Sequence, residues 1–506
     1  MKRVLLSAAM FLLFAAPAVA AGPSPGAPGI GDPLFPTLGN GGYDVQHYDV
    51  DVRYGKAFTD PVEGTVTILA RATQALSRFN LDFAGRSVGG VVVNGAPAQW
   101  RREGSELIIT PRKAIKDRAL FVVTVSKYVA VPTVPNDDDP TSTALFVHPS
   151  GTATAPQPDL ARYFLPSNDH PRDKASFDFR FDVPAGQTAV ANGVPLAKWT
   201  SGGRTHSVFV QRQPMATELI QMAVGDYDVT NEGFHNGVLL REVTAKPLTA
   251  QYLPLLDPTR SQLDWMRARA GAYPFDLYGS LVVDAGLGFA LETQTLELID
   301  TFWYEDYGKG TWDATLLHEM SHMWFGDSVA PYSWSDLWLN EGHASWYEFT
   351  WGEENGVLEE DTTGYPDDQG YATLDELMKA VYAHGDEWRA ESGPVAAPSS
   401  PDELFAYQRY HGGALVLYAL RQKVGNAAFL RIERAYPERF RDRSVTTDDF
   451  IALAAQVSGR PDVVPFLREW VYGTKTPPMP GHPDWTVNAP STQRTATIPG
   501  RRAPRR

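Results

Sequence analysis

The segment Leu317-His318-Glu319-Met320-Ser321-His322 sets two histidines four residues apart around a glutamate, within a stretch whose spacing predicts a helix from Thr311 to Phe325. On a helix this spacing stacks both imidazoles on one face, where two ring nitrogens can hold one metal ion. Glu319 follows the first histidine, near enough to touch a metal-activated water without ligating the metal, and is the candidate general base. The alternative is a pair of ordinary helix histidines. Leu316, Leu317, Met320 and Trp324 would bury such a pair, and two buried imidazoles without partners are costly.

A catalytic zinc takes three protein ligands and keeps one position for water. Glu341, in Leu339-Asn340-Glu341-Gly342-His343-Ala344, supplies the third donor; the eighteen residues between it and His322 leave room for a turn and a second helix over Asp336 to Thr350. His343 is a rival donor, but on that helix it lies about 200° round from Glu341. A ligand set of three histidines, with the last one six residues beyond His322, would need a histidine where Ser328 stands. One Zn2+ per chain, held by His318, His322 and Glu341, is therefore expected. Asp327 and Asp336 flank the ligand helices, either as acceptors for the ligand imidazoles or as helix caps.

Taken together, these residues resemble the M1 family of zinc aminopeptidases. Gly288-Phe289-Ala290-Leu291-Glu292-Thr293 is similar to the family's Gly-Ala-Met-Glu-Asn segment, with Phe, Leu and Thr where the family has Gly, Met and Asn. The resemblance implies that Glu292 binds the substrate's free α-ammonium group; a carboxylate merely exposed on an edge strand is the other reading. Tyr410-His411-Gly412-Gly413-Ala414 is similar to the family's Tyr-x-Lys/Arg-Gly-Ala, which implies that the Tyr410 hydroxyl stabilises the oxyanion, although Gly412 replaces the basic residue and Tyr407 lies nearby. Gln157-Pro158-Asp159-Leu160-Ala161-Arg162 looks like a loop that enters the active site, with Gln157 as a second contact to the amine.

The resemblance spans roughly residues 40 to 475 and implies a multidomain chain: an all-β, saddle-like N-terminal domain, then a mainly helical α+β thermolysin-like catalytic domain. A short form without the family's large C-terminal helical domain is expected. The implied activity is removal of N-terminal residues from peptides with a free amino terminus. Two rivals remain. A thermolysin-like endopeptidase has nearly the same ligand spacing, but its third-ligand segment reads Asn-Glu-x-x-Ser-Asp, unlike Asn340-Glu341-Gly342-His343-Ala344-Ser345. A non-catalytic zinc-containing binding protein would have no need of Glu319 or Tyr410.

The elements that position these groups are also legible. At 506 residues the chain exceeds what one core usually supports. Between residues 43 and 228, period-two runs such as Tyr48 to Val52, Leu107 to Thr110, Leu120 to Val125, Phe177 to Phe181 and Ser207 to Val210 predict strands. Asp137-Asp138-Asp139 sits in a Pro-rich loop and reads as a solvated charge run, since its spacing lacks the EF-hand pattern. From 229 to 475, helices are predicted at Arg260 to Ala270, at the two ligand segments, at Gly413 to Val424 and at Thr447 to Val457. Residues 21–42 and the Pro/Arg-rich residues 476–506 are expected to be flexible.

Composition narrows the function classes. Hydrophobic content of 43% and charged content of 21% fit a soluble globular protein. Residues 1–20 read as a signal peptide, with Lys2 and Arg3, an apolar stretch and Ala18-Val19-Ala20, so a secreted or periplasmic soluble protein is expected. No later apolar run is long enough to span a bilayer. There is no cysteine, hence no disulfide. The formal charge of −15 argues against nucleic acid and anionic membranes as partners. With no heptad seam in view, a monomer is expected.

Overall fold

The computed structural model describes residues 22–359 and 369–488; the leader expected over residues 1–20 and the tail from residue 489 lie outside the described residues. The first half is built on an eight-stranded sheet in the order Val194–Ser201, Arg204–Met215, Ala175–Pro184, Tyr43–Arg53, Val62–Ala72, Leu120–Ala130, Gly90–Val93 and Ala96–Pro97. All neighbours are antiparallel except Ala175–Pro184 on Tyr43–Arg53. The alternation that predicts these strands is the alternation that buries them: along Ala175–Pro184, Phe177, Phe179, Phe181 and Val183 face the core while Asp178, Arg180 and Asp182 face outward. Each large apolar side chain so buried contributes about 1.5–3 kcal/mol.

A four-stranded sheet of Ser24–Pro25, Leu76–Asp82, Glu106–Thr110 and Gln99–Glu103 covers that face, and Phe79 meets Tyr43 and Phe121 across the gap. A further sheet of Leu145–His148, Gly151–Thr154, Met222–Gly225 and Thr188–Ala191 joins the two halves of the chain, because Phe146, Ala153, Val190 and Ala223 share one core with Val243, Leu281 and Leu298.

The second half opens on a sheet, which the expectation of a mainly helical region did not place strand by strand. Its strands are Tyr227–His235, Val238–Ala245, Ser280–Val283 and Glu297–Asp300, with Leu277–Tyr278 alongside the second; the first pair is antiparallel and the rest parallel. Ser280–Val283 and Glu297–Asp300 are buried on both faces and so carry no period-two pattern. The predicted helices form at Thr259–Ala270, Gly308–His322, Trp338–Asn355, His411–Val424 and Thr447–Ser458. Three more long helices, Leu374–Ser392, Asn426–Phe440 and Val463–Tyr472, join them, with one-turn helices at Thr249–Tyr252 and Phe302–Glu305. No described helix is long and apolar enough to cross a membrane.

Both flanking segments expected to be flexible are packed where they are described. Asp32 accepts hydrogen bonds from the Leu34 and Phe35 amides, from His170 Nε2 at 3.1 Å, from Ser333 Oγ at 2.9 Å and from the Trp334 amide at 2.8 Å, so one carboxylate ties the N-terminal segment to both halves of the chain. At the other end the Thr476 amide donates to Asp386, Trp485 stacks on Tyr418, and the Asn488 amide donates to the Ala383 carbonyl. Such single anchors leave no periodic trace in a sequence. Asp139 caps the turn Pro140–Thr143 through the Thr141 amide, so the acidic loop serves as a cap.

Candidate active site

The helix Gly308–His322 runs through the interior, buried at every position from Gly310 to His322, and ends directly after the second histidine. Phe325 therefore lies in the turn beyond the helix. Trp338–Asn355 follows a 3-10 turn closed by a capping box between Ser333 and Asp336, which settles Asp336 as a cap; its other oxygen accepts from the amide and hydroxyl of Thr447. These two helices bring His318, His322 and Glu341 together: each histidine Nε2 lies 3.4 Å from Glu341 Oε2.

The spacing and the tautomers fit a zinc ion. Donors held at about 2.0–2.1 Å in a tetrahedral arrangement stand about 3.3 Å apart, which matches the observed 3.4 Å. His318 Nδ1 donates to Glu348 Oε2 at 2.7 Å and His322 Nδ1 donates to the Phe325 carbonyl at 3.1 Å, so that both Nε2 atoms are the ones left to ligate a metal at the shared point. Burial alone would lower the His318 pKa, yet the Glu341 and Glu348 carboxylates raise it to about 10. His322 is likewise raised against burial by Glu292 and Glu341. The site carries an excess of negative charge that calls for a cation.

Glu319 and Glu292 border the same point, and their carboxylates group with His322 within 4.8 Å. Leu291 bridges Leu298 on the outer strand of the catalytic sheet, so the chain enters the site along that edge, but Glu292 itself is completely buried. Gln157, arriving from the β-rich half, donates Nε2 to Glu292 Oε1 at 2.8 Å. Tyr410 precedes the helix His411–Val424, and its ring lies 6.0 Å from that of His318 at an interplanar angle of 20°. A glycine contact sets this placement. Gly342, next to the ligand Glu341, faces Gly413, and a Cβ on Gly413 would fall 2.7 Å from Gly342 Cα. Only two glycines let the helices approach so closely.

His343 points elsewhere. Its Nδ1 donates to the Leu339 carbonyl at 2.7 Å, and its ring is stacked between Phe325 and Tyr436. Asp327 is wholly buried but bonds to neither imidazole; burial and Glu292 push its carboxyl well above the usual range. Two residues of the site were not anticipated. Glu348 lies about two turns beyond Glu341 on one helix face, a spacing that offered a signal. Glu218, which accepts from Gln157 Nε2 at 3.1 Å, offered none.

Comparison with known proteins agrees with this arrangement. Residues 287–470 match the peptidase family M1 domain. The chain is similar to Aminopeptidase M1-B of Oryza sativa subsp. japonica, 27% identical over 322 residues, covering 60% of this chain and 34% of that protein. It is also similar to Aminopeptidase N of Streptomyces lividans, 27% identical over 335 residues, covering 62% and 37% respectively. The matched part thus spans about a third of the length of these relatives. An M1 zinc metallopeptidase from Deinococcus radiodurans superposes with a TM-score of 0.75 at 29% identity, over 89% of this chain and 99% of that one. A variant of the Deinococcus protein was solved with a Tyr-Ser-Ala substrate bound, and its coverage is 90% and 100%. A sheet-rich domain joined to a helical domain that carries two histidines and a downstream glutamate is the two-domain metallopeptidase fold. Residues 287–470 match the peptidase family M1 domain, and the likeness to the Deinococcus M1 zinc metallopeptidase extends over 89% of the chain.

Proposed function

We propose that this protein is a secreted zinc aminopeptidase that removes residues from the free amino terminus of peptides, acting as a soluble monomer. The observation that carries the reading is the completely buried Glu292 carboxylate beside the metal-binding triad, bonded by Gln157. A fixed buried anion at that place has a use when the substrate brings a cation, and a peptide brings one at its amino terminus. The basic and apolar composition of residues 1–20 supports export.

Held by His318, His322 and Glu341, Zn2+ would acidify a water and polarise the scissile carbonyl. Glu319 takes the proton of the attacking water and passes it to the leaving amine. The Tyr410 hydroxyl donates to the oxyanion as it forms. Glu292 and Gln157 hold the α-ammonium, which places the first peptide bond, counted from the chain end, at the reacting centre.

The test is hydrolysis of amino-acid arylamides and of the same compounds acetylated at the amine, by wild type and Glu292→Ala. Cleavage of free amines alone, weakened by the substitution, is expected. Equal cleavage of blocked substrates would move the protein to the endopeptidase class, and no cleavage at full zinc occupancy would make it a binding protein.

A further inference from the structure

Glu218 is 1% exposed, yet no part of the mechanism above uses it. It sits in the 3-10 turn Thr217–Leu219, and that turn is fixed on both sides. Thr217 Oγ1 donates to Asp169 at 2.7 Å, and the Leu219 carbonyl accepts from Asn192 Nδ2 at 3.0 Å and from the Gln294 amide at 3.1 Å. From this rigid position its Oε2 accepts one N–H of Gln157 at 3.1 Å, while the other N–H of the same nitrogen goes to Glu292 at 2.8 Å. Glu218 Oε1 is buried and makes no hydrogen bond.

A primary amide has two nearly isosteric orientations, one presenting NH2 and the other presenting the carbonyl oxygen. With a carboxyl group on each side of Gln157 Nε2, the reversed orientation would lose both hydrogen bonds and set an amide oxygen against two acceptors. Gln157 is only half-buried, and with Nε2 held by both carboxyl groups its Oε1 is the polar atom left to meet a ligand. For an ammonium ligand the distinction decides the sign of the interaction: Oε1 accepts from the ammonium, whereas NH2 repels it.

We propose that Glu218 is a positioning residue for amine recognition: its Oε2 locks the Gln157 side-chain amide so that the carbonyl oxygen faces the substrate's amino terminus. Burial and the neighbouring Glu292 push the Glu218 carboxyl well above the usual range. The inference rests on the reading that this site binds amino termini.

The experiment measures kcat and KM on free and acetylated arylamides for wild type, Glu218→Leu, Glu218→Gln, Gln157→Ala and the double variant Gln157→Ala with Glu218→Leu. Leucine fills the buried space without an acceptor, so the variant is expected to melt no lower than wild type, while KM for free amines rises about tenfold or more with little change in kcat. Glutamine, which keeps an acceptor oxygen, should restore KM. The double variant should be no worse than Gln157→Ala alone, because the effect of Glu218 passes through Gln157. An unchanged KM in Glu218→Leu, a loss that Glu218→Gln does not repair, or a loss that persists without Gln157 overturns the proposal while the amine reading stands. Equal cleavage of acetylated substrates by wild type overturns both.

Discussion

Glu348 offers a direct test of how the metal-binding geometry is held. It receives Nδ1–H of His318 at 2.7 Å from a half-buried position, on the helix that also carries Glu341. The bond fixes the tautomer that leaves Nε2 free for metal, and it adds electron density to the ring. Loss of such a partner costs about 10- to 100-fold in metal affinity, or about 1.4–2.7 kcal/mol. Glu348→Ala should lose that amount. Glu348→Gln keeps an acceptor for the same N–H but removes the charge, and a neutral acceptor is about half as strong, so its loss should be about three- to tenfold. Competition for Zn2+ against a fluorescent chelator at neutral pH reads both values, and a circular-dichroism spectrum confirms that each variant is folded. Zinc affinity within about twofold of wild type in Glu348→Ala would refute the argument, since it would mean that packing alone orients His318.

Other substitutions probe the remaining parts. Glu319→Gln should retain zinc and lose about 10²- to 10⁴-fold in kcat, measured with an arylamide; wild-type turnover would remove Glu319 from the role of base. Gly413→Ala puts a Cβ 2.7 Å from Gly342 Cα, so thermal melting should show a loss of about 1–3 kcal/mol, with a fall in kcat as Tyr410 shifts. Asp32→Asn replaces an acceptor of three donors by an NH2 group and should cost about 1–3 kcal/mol at neutral pH. Although burial opposes it, the His170 and amide hydrogen bonds hold the Asp32 pKa below its unfolded value, so its stabilisation is full above about pH 4 and is lost as the pH falls further. Denaturant melts of wild type and Asp32→Asn should therefore converge below about pH 4; a constant gap would contradict the assignment.

What could be read from the sequence follows from how local each signal is. His318, Glu319 and His322 belong to one helical turn, and the β-rich half has one buried and one solvated face, so spacing alone reveals both. Ser280–Val283 and Glu297–Asp300 are four-residue strands buried on both sides, too short to be told from helix segments. Leu374–Ser392 did carry a signal, with Leu374, Leu377, Met378, Val381 and Tyr382 on one buried face. Asn426–Phe440 is masked by Pro437 near its end. Glu218 meets Gln157 across 61 residues and Asp32 meets Trp334 across 302, distances over which no local pattern extends.

On the reading proposed, the site's selectivity follows from its charge. Glu218, Glu292, Glu319, Asp327 and Glu341 are all buried around two imidazoles, and burial and neighbouring carboxylates raise the pKa of Glu218 and Asp327. Lys174, pushed down to about 8 by burial, spends its donors on the carbonyls of Asp327 and Ser328. Zn2+ answers part of this negative charge, and on the reading proposed the α-ammonium answers more. An acetylated terminus fails twice: it brings no charge, and its single amide N–H leaves Glu292 and Gln157 Oε1 short of donors. Sites that hydrogen-bond a substrate group reject analogues lacking it by about 10⁴- to 10⁵-fold, because their own buried polar atoms are left unpaired. Discrimination against acetylated arylamides should therefore approach that range, well beyond the about 10- to 200-fold available when a pocket discriminates by one methylene.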